Sequence, residues 1–182
     1  MTSEERYQQE LKQSEIDHHT PTAGAMTGHI IANLLIHSLK ISQAKFFAHG
    51  IAAIFLASYA DNWLKHEQTE FNRLNQLLVN NGEAIPTTTD QFKEFSMLEE
   101  NGADKYLTGN EQLFRLVQDF DTQLLFINKA IPLADKEQWP ELKSELIKLL
   151  TWIKSQIALT QNVLDHEIRE GLYTEDEDDD DF

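Results

Sequence analysis

Four side chains that could bind a metal ion lie close together near the N-terminus. Glu15, Asp17, His18 and His19 place four candidate ligands within five residues. Imidazole nitrogen and carboxylate oxygen together suit divalent transition metals such as iron. The same pattern is typical of a polar segment whose histidines cap a helix or pair with acids. Both interpretations stay open from the sequence.

A second candidate pair, His66 and Glu70, lies within a segment of helical periodicity. Because the two residues are four apart, their side chains lie one helical turn apart and can reach one ion. The alternative is an exposed polar pair on a helix surface. His29, His37 and His49 occur singly among apolar residues, where hydrogen bonding in a core or an interface is the expected role.

The chain is acidic, and much of its charge lies at one end. The formal net charge is −16, and seven of the 31 acidic residues lie in residues 175–181. Because such a run repels itself, residues 171–182 are predicted to form a disordered acidic tail. The tail either keeps the protein soluble or recruits cations or a basic partner. The overall negative field opposes simple electrostatic attraction to DNA.

The elements that must position these side chains are predicted to be helices. With 7 Gly, 4 Pro and no Cys in 182 residues, the composition favours helices and excludes disulfides and thiolate metal sites. Residues 1–19 are predicted to form an N-terminal arm with a short helix, since Thr2 and Glu5 have capping-box spacing. The arm has no signal-peptide core, and no apolar run reaches the roughly 18 residues of a membrane span. We therefore expect a cytoplasmic protein without membrane contact.

Apolar residues recur at helical spacing in four long segments within residues 20–170. The long segments and one short helix cover residues 20–50, 54–79, 87–98, 111–134 and 139–168. Thr20 is the expected N-cap of the first long helix, Gly50 its end, and Pro132 should kink or end the third. One long crossover among four helices favours an all-α, ferritin-like four-helix bundle. A short extra helix lies in the connection between the second and third long helices.

Several motifs, taken in their order and spacing, carry a family resemblance over about residues 17–168. They are DHHTPTAGAM at residues 17–26, FFAHG at 46–50, Asn81-Gly82 followed by Pro86-Thr87-Thr88, Asp119-Phe120-Asp121, and Trp152. In these features the chain resembles the Dps (DNA protection during starvation) family of mini-ferritins. The first motif is similar to a subgroup known from lactic acid bacteria.

The resemblance places a ferroxidase centre at a position where this chain lacks its ligands. In the family, His, Asp and Glu side chains meet across a two-fold subunit interface and oxidise iron. The corresponding positions here are Ser42, Lys45, Ala57, Asn72 and Gln76. Iron needs neutral imidazole and ionised carboxylate ligands, whereas these residues offer uncharged groups or a competing cation. We expect no functional ferroxidase centre at this place, and whether the protein is an enzyme stays open.

By the same resemblance, four acids lie where mini-ferritins form three-fold pores. They are Asp135, Glu137, Glu141 and Glu145. The last three are spaced four apart and are expected to share one helix face, where they would draw cations inward. The alternative is an ordinary solvated face.

The resemblance also implies DNA binding through the N-terminal helix, with Arg6 and Lys12 as candidate contacts. Residues 1–17 nevertheless carry five acids against these two bases, which is the wrong sign for phosphate. Any DNA binding is therefore expected to be weak, salt-dependent or dependent on divalent cations.

Three functions follow as expectations from the resemblance. The leading one is a Dps-like cage, a homododecamer, that protects DNA and the cell from oxidative stress by sequestering iron despite a degenerate ferroxidase site. The second is a non-catalytic DNA-binding or shielding protein. The third is a ferroxidase whose metal site has moved to His18, His19 or His66. Iron, or another divalent metal, is the implied cofactor.

Overall fold

Four long helices form the body of the protein, which confirms the predicted all-α four-helix bundle. The structure is a computed structural model and describes residues 1–173. The helices are α1 (Ser3–His19), α2 (Ala23–Phe47), α3 (Ile51–Asn80), α4 (Thr89–Phe95), α5 (Gly109–Lys136) and α6 (Pro140–Val163). α2 packs against α3 and α5, and α5 packs against α6. Within the described residues, no helix is long and apolar enough to cross a membrane.

The long crossover from α3 to α5 contains the predicted short helix. The Thr88 hydroxyl caps α4 by accepting a hydrogen bond from the Gln91 backbone N–H, and Gln91 Oε1 accepts one from the Thr88 backbone N–H. Beyond α4, the buried Asn33 of α2 accepts a hydrogen bond from the Met97 amide at 2.8 Å. This bond fixes the crossover to the bundle, and a 3₁₀ helix at Gly102–Tyr106 leads on to α5.

The first long helix begins later than the sequence predicts. Thr20 is the C-cap of α1, and Thr22 is the N-cap of α2, because its hydroxyl accepts from the Ala25 amide at 3.1 Å. The expected N-cap at Thr20 is therefore wrong by two residues. The reason is that α1 continues through His19, which leaves only residues 20–22 as the link.

Two helix ends also differ from expectation. Pro132 lies inside α5, which continues to Lys136, because the fully buried Ala130 and Ala134 hold the last turn against the core. Conversely, α6 ends at Val163, since Asp165 adopts a left-handed backbone with φ of 59°.

The core is a continuous set of apolar side chains between the helices, with an aromatic cluster at its centre. The rings of Trp63 and Phe120 pack edge to face with centroids 5.2 Å apart, and the Trp152 ring centroid lies 5.7 Å from that of Phe120. This cluster joins α3, α5 and α6. It also separates two groups of buried charges.

The C-terminal segment packs on the bundle as far as it is described. Leu172 is buried in the core cluster, and Arg169 pairs with Asp121 of α5 at 2.7 Å. The predicted acidic tail starts at residue 171, and its run of acids lies outside the described residues.

Candidate metal centre and buried charge clusters

A histidine and a glutamate meet inside the bundle, shielded from solvent. His37 Nδ1 of α2 lies 2.5 Å from Glu67 Oε1 of α3, and both side chains are 0% exposed. The Ser38 hydroxyl donates to Glu67 Oε2 at 3.0 Å. Burial opposes a charge on His37, but the attraction and hydrogen bond of Glu67 outweigh it and raise the pKa of His37. His37 Nε2 has no hydrogen-bond partner among the described residues.

A lysine and an aspartate lie beside this pair. Lys40, one turn beyond His37 on α2, contacts Asp119 Oδ1 of α5 at 2.8 Å and donates to the Glu99 carbonyl at 2.6 Å. Burial raises the pKa of Asp119, and nearby His37 and Lys40 oppose that rise. Two basic groups therefore face two carboxylates in the bundle interior. Lys40 pairs with Asp119, and His37 pairs with Glu67.

The second buried group is a pair of carboxyls between α3 and α6. Burial, and then the neighbouring Glu145, raise the pKa of Glu70 to about 7. Burial also disfavours charge on Glu145, but hydrogen bonds from Arg73 and Lys148 lower its pKa overall. Glu145 accepts from Arg73 at 2.9 Å and from Lys148 at 3.3 Å. The opposite directions of these two pKa shifts place the proton of the pair on Glu70 and leave Glu145 ionised beside Arg73 and Lys148.

His66 lies at the edge of this second group, between Glu70 and α6. Its ring stacks on Trp152 with centroids 4.0 Å apart, and its Nε2 lies 3.9 Å from Glu70 Oε1. Burial and the positive charge of Arg73 lower the pKa of His66. A neutral imidazole thus lies beside a carboxyl that holds a proton.

Neither group is an assembled metal centre. Within residues 1–173, no three His, Cys, Asp or Glu side chains come close enough to hold an ion together. In both groups, basic side chains neutralise the carboxylates. The arrangement suits structural charge pairing and proton exchange better than redox chemistry at a bound metal.

Solved structures identify the fold and the family. The DpsB protein of Lactococcus lactis is 32% identical, and the match covers 92% of this chain and 96% of DpsB with a TM-score of 0.86. The DpsA protein of the same organism is also 32% identical, over 93% of this chain and 99% of DpsA, with a TM-score of 0.87. The chain belongs to the Dps family.

More distant Dps structures share the fold. Dps from Listeria monocytogenes is 21% identical over 82% of this chain and 97% of its own, with a TM-score of 0.78. No protein-family model and no curated protein matches the chain.

The positions predicted to correspond to the Dps ferroxidase ligands lie near the C-terminal end of α2 and along α3. Lys45 pairs there with Asp61, with Nζ and Oδ1 2.5 Å apart. Ala57, Asn72 and Gln76 are exposed. The side chains at these positions offer one ammonium and no carboxylate.

The metal ligands predicted in the Dps arm do not come together at one place among the described residues. Asp17 accepts a hydrogen bond from Gln13 within α1 at 2.9 Å, whereas His18 packs against His29 of α2 with ring centroids 5.4 Å apart. Glu15 and His19 are exposed. A site built from all four is not assembled, and their metal binding stays a prediction.

The acids predicted to line a Dps pore do not share one helix face. Glu137 is the C-cap of α5 and accepts from the Ala23 amide at 2.8 Å, so it is not on α6. Glu145 is buried against α3, and Asp135 pairs with Lys143 at 2.6 Å. The expectation of a common face for Glu137, Glu141 and Glu145 is wrong, because a turn at residues 137–139 interrupts the helix. Glu137 and Glu141 nevertheless line one groove beside Asn80 and Asn81.

The candidate DNA contacts lie on an exposed helix. Arg6 and Lys12 are exposed on α1, and none of the residues of α1 is buried. This placement leaves both bases accessible. Their contact with DNA stays a prediction.

The sequence does not reveal the first interior charge group. It predicts core or interface hydrogen bonding for His37 and no pairing for Glu67, Lys40 or Asp119. A signal was present, since His37 and Lys40 interrupt the apolar pattern of α2 one turn apart. The partners could not be found from spacing, because Glu67 is 30 residues from His37 and Asp119 is 79 from Lys40.

Proposed function

We propose that this protein is a subunit of a Dps-type shell that sequesters iron and thereby protects DNA and the cell from oxidative damage. The observation that carries the proposal is the match to two lactococcal Dps proteins at 32% identity over more than nine-tenths of each chain. A match of that extent leaves no room for a different architecture in the part compared.

Exposed apolar side chains at the corner between α2 and α3 support self-assembly. Phe46, Ile51 and Ile54 are 75%, 63% and 68% exposed. Apolar patches of this kind on a soluble protein mark contact surfaces, because their burial against a partner is favourable. The corner adjoins the positions that meet across the two-fold interface in the family, so a second copy of this chain is the expected partner.

The chemistry of the shell differs from that of an iron-oxidising Dps protein. Lys45 and Asp61 form an ion pair where ligands are expected, and Ala57 provides no donor atom. Inside the bundle, Lys40 pairs with Asp119. We infer that the protein stores iron without rapid oxidation at the usual interface.

Particle mass and iron uptake together test the proposal. Twelve chains of 21.0 kDa give a shell of about 250 kDa. Light scattering should show this mass, and iron added as Fe(II) should co-elute with the particle. Oxidation by peroxide should be close to the rate in buffer. A monomer without retained iron would refute the shell, and fast, saturable oxidation would refute the loss of the ferroxidase centre.

DNA shielding is a second candidate function, favoured by the exposed α1. Because residues 1–17 have a net negative charge, divalent cations must bridge the helix and the phosphates if DNA binds there. We expect gel retardation at low salt that depends on magnesium and weakens when residues 1–17 are removed. Failure of the intact protein to retard DNA at low salt with magnesium would rule out this role.

A further inference from the structure

We propose that His18 of α1 and His29 of α2 form a binding site for a divalent transition-metal ion that fixes the N-terminal helix to the bundle. The inference goes beyond the proposed storage of iron, and it rests on the juxtaposition of these two imidazoles from different helices. The tautomer of His29, the spacing of the two rings and the sparse packing of α1 support this site.

The hydrogen bond of His29 prepares its other nitrogen to bind a metal. His29 Nδ1 lies 2.8 Å from the carbonyl oxygen of Phe95. A carbonyl only accepts, so Nδ1 carries the proton and Nε2 of the neutral ring carries the lone pair. Metal-binding histidines characteristically use one nitrogen for the ion and donate from the other to a carbonyl or carboxylate.

The two rings have the spacing of ligands to one ion. Their centroids are 5.4 Å apart and the rings are tilted by 46°. For a tetrahedral ion with metal–nitrogen bonds of about 2.0–2.1 Å, two imidazole centroids lie about 5 Å apart. The rings of Phe95 and Phe126 pack against the His29 ring, with centroids 5.7 and 5.9 Å from its own, and hold its orientation. The proposal requires that the exposed His18 ring turn one nitrogen toward the ion that His29 Nε2 binds.

A carboxylate lies one helical turn from His18. Glu15 precedes His18 by three residues, so it lies one turn away on the same face of α1. It is exposed and makes no contact that would hold it elsewhere within the part of the chain described. In the structure Glu15 does not join the two histidines as a third ligand, so the site rests on two imidazoles, with water completing the shell of Zn²⁺, Co²⁺ or Ni²⁺.

The site has a consequence because α1 is weakly attached. No residue of α1 is buried, and its hydrogen bonds with side chains lie within the helix or at its cap. An ion held by His18 and His29 would join α1 to α2 directly. Metal binding should therefore restrict the motion of α1 while the bundle is unchanged.

Zinc titration of the full-length protein tests the site. Isothermal calorimetry with Zn²⁺ should give one strong event per chain, and Co²⁺ should give the intense visible absorption of a tetrahedral complex. His18→Ala should weaken Zn²⁺ binding at least tenfold, and this exposed change should leave folding intact. His29→Gln, which keeps a donor for the Phe95 carbonyl, should weaken binding comparably.

His19→Ala is the matched control, since His19 is the exposed neighbour that does not contact His29. It should keep the Zn²⁺ affinity of the unmodified protein within about twofold. Hydrogen exchange of α1 should slow with Zn²⁺ in the unmodified protein and in His19→Ala, but not in His18→Ala. Equal loss of affinity in His19→Ala, or unchanged affinity in His29→Gln, would overturn the proposal. Absence of strong Zn²⁺ binding in the unmodified protein would also overturn it.

Discussion

Individual buried side chains carry the unusual electrostatics of this protein. The side chains of Glu67, Glu70 and His37 are almost fully buried. Each nevertheless lies beside a group that can exchange a proton with it or carry the opposite charge. A buried charge is tolerated only when such a partner is present. Neutralising one partner should therefore change stability in a way that depends on pH.

Glu70→Gln should remove part of the pH dependence of unfolding. Because the pKa of Glu70 is raised from 4.5 to about 7, its contribution to stability is complete below pH 4.5 and is lost as pH rises through 7. The unmodified protein should lose stability over this window with a slope of at most about 1.4 kcal/mol per pH unit. Glu70→Gln should be flatter and more stable than the unmodified protein at pH 8.

Urea denaturation at pH 5 and pH 8 measures this effect. Glu141→Gln, an exposed change on α6, is the control and should keep the slope of the unmodified protein. If the pH dependence of unfolding has the same slope in Glu70→Gln as in the unmodified protein, the raised pKa of Glu70 is contradicted.

Glu67→Gln should destabilise the bundle most at mildly acidic pH. The raised pKa of His37 means that its pairing stabilises the fold fully below the unfolded value of 6.5 and that this stability is lost as pH rises through the folded value. The substitution removes a charge-assisted hydrogen bond, so a loss of about 1–3 kcal/mol is expected at pH 6, and a smaller loss at pH 9. Chemical denaturation at both pH values decides the matter. A loss equal at both would show that His37 is uncharged in the folded protein.

The start of α5 lies close to α3 and to the link between α2 and α3. A Cβ atom on Gly109 would lie 2.2 Å from the His49 carbonyl oxygen and 2.9 Å from the Ala52 side chain. The first of these neighbours is backbone and cannot move without shifting the link between α2 and α3. Gly109 thus has a packing role, although the sequence suggests only a break before a helix.

Gly109→Ala should destabilise the protein by about 1–3 kcal/mol or more, as expected for overpacking. Gly28→Ala is the matched control, because a Cβ at Gly28 in α2 would meet nothing within 4 Å. That change should stabilise the helix by up to about 1 kcal/mol. Thermal unfolding of both variants measures the difference, and equal effects would contradict the close approach at Gly109.

Helix caps explain which element boundaries the sequence could predict. The capping boxes at Thr2 and Thr88 form as their spacing indicates. The sequence does not predict the N-cap of α2 correctly, because Thr20 and Thr22 are both good caps and the length of α1 decides between them. Local patterns thus predict that a helix exists, while its neighbours decide where it begins.

The whole molecule is a bundle with an apolar corner, and assembly is the property that this corner predicts. Ile54→Glu should split the proposed shell into smaller species, since it places a charge in a contact that excludes water. The subunit should remain folded, because Ile54 is 68% exposed. Ile16→Glu, on exposed α1, is the control and should leave the mass unchanged. Light scattering and circular dichroism report mass and folding, and an intact shell in Ile54→Glu would place the contact elsewhere.

The sequence by itself determined the class of fold and the family, because apolar periodicity, caps and the motifs from residue 17 to Trp152 are local features. The sequence also predicts which side chains occupy the usual Dps iron positions, and this correspondence stays a prediction. Only the tertiary structure decided how the interior charges pair: His37 with Glu67, and Lys40 with Asp119. The physical reason is that burial and Coulomb attraction depend on distance in space, and these partners come from different helices far apart in the chain.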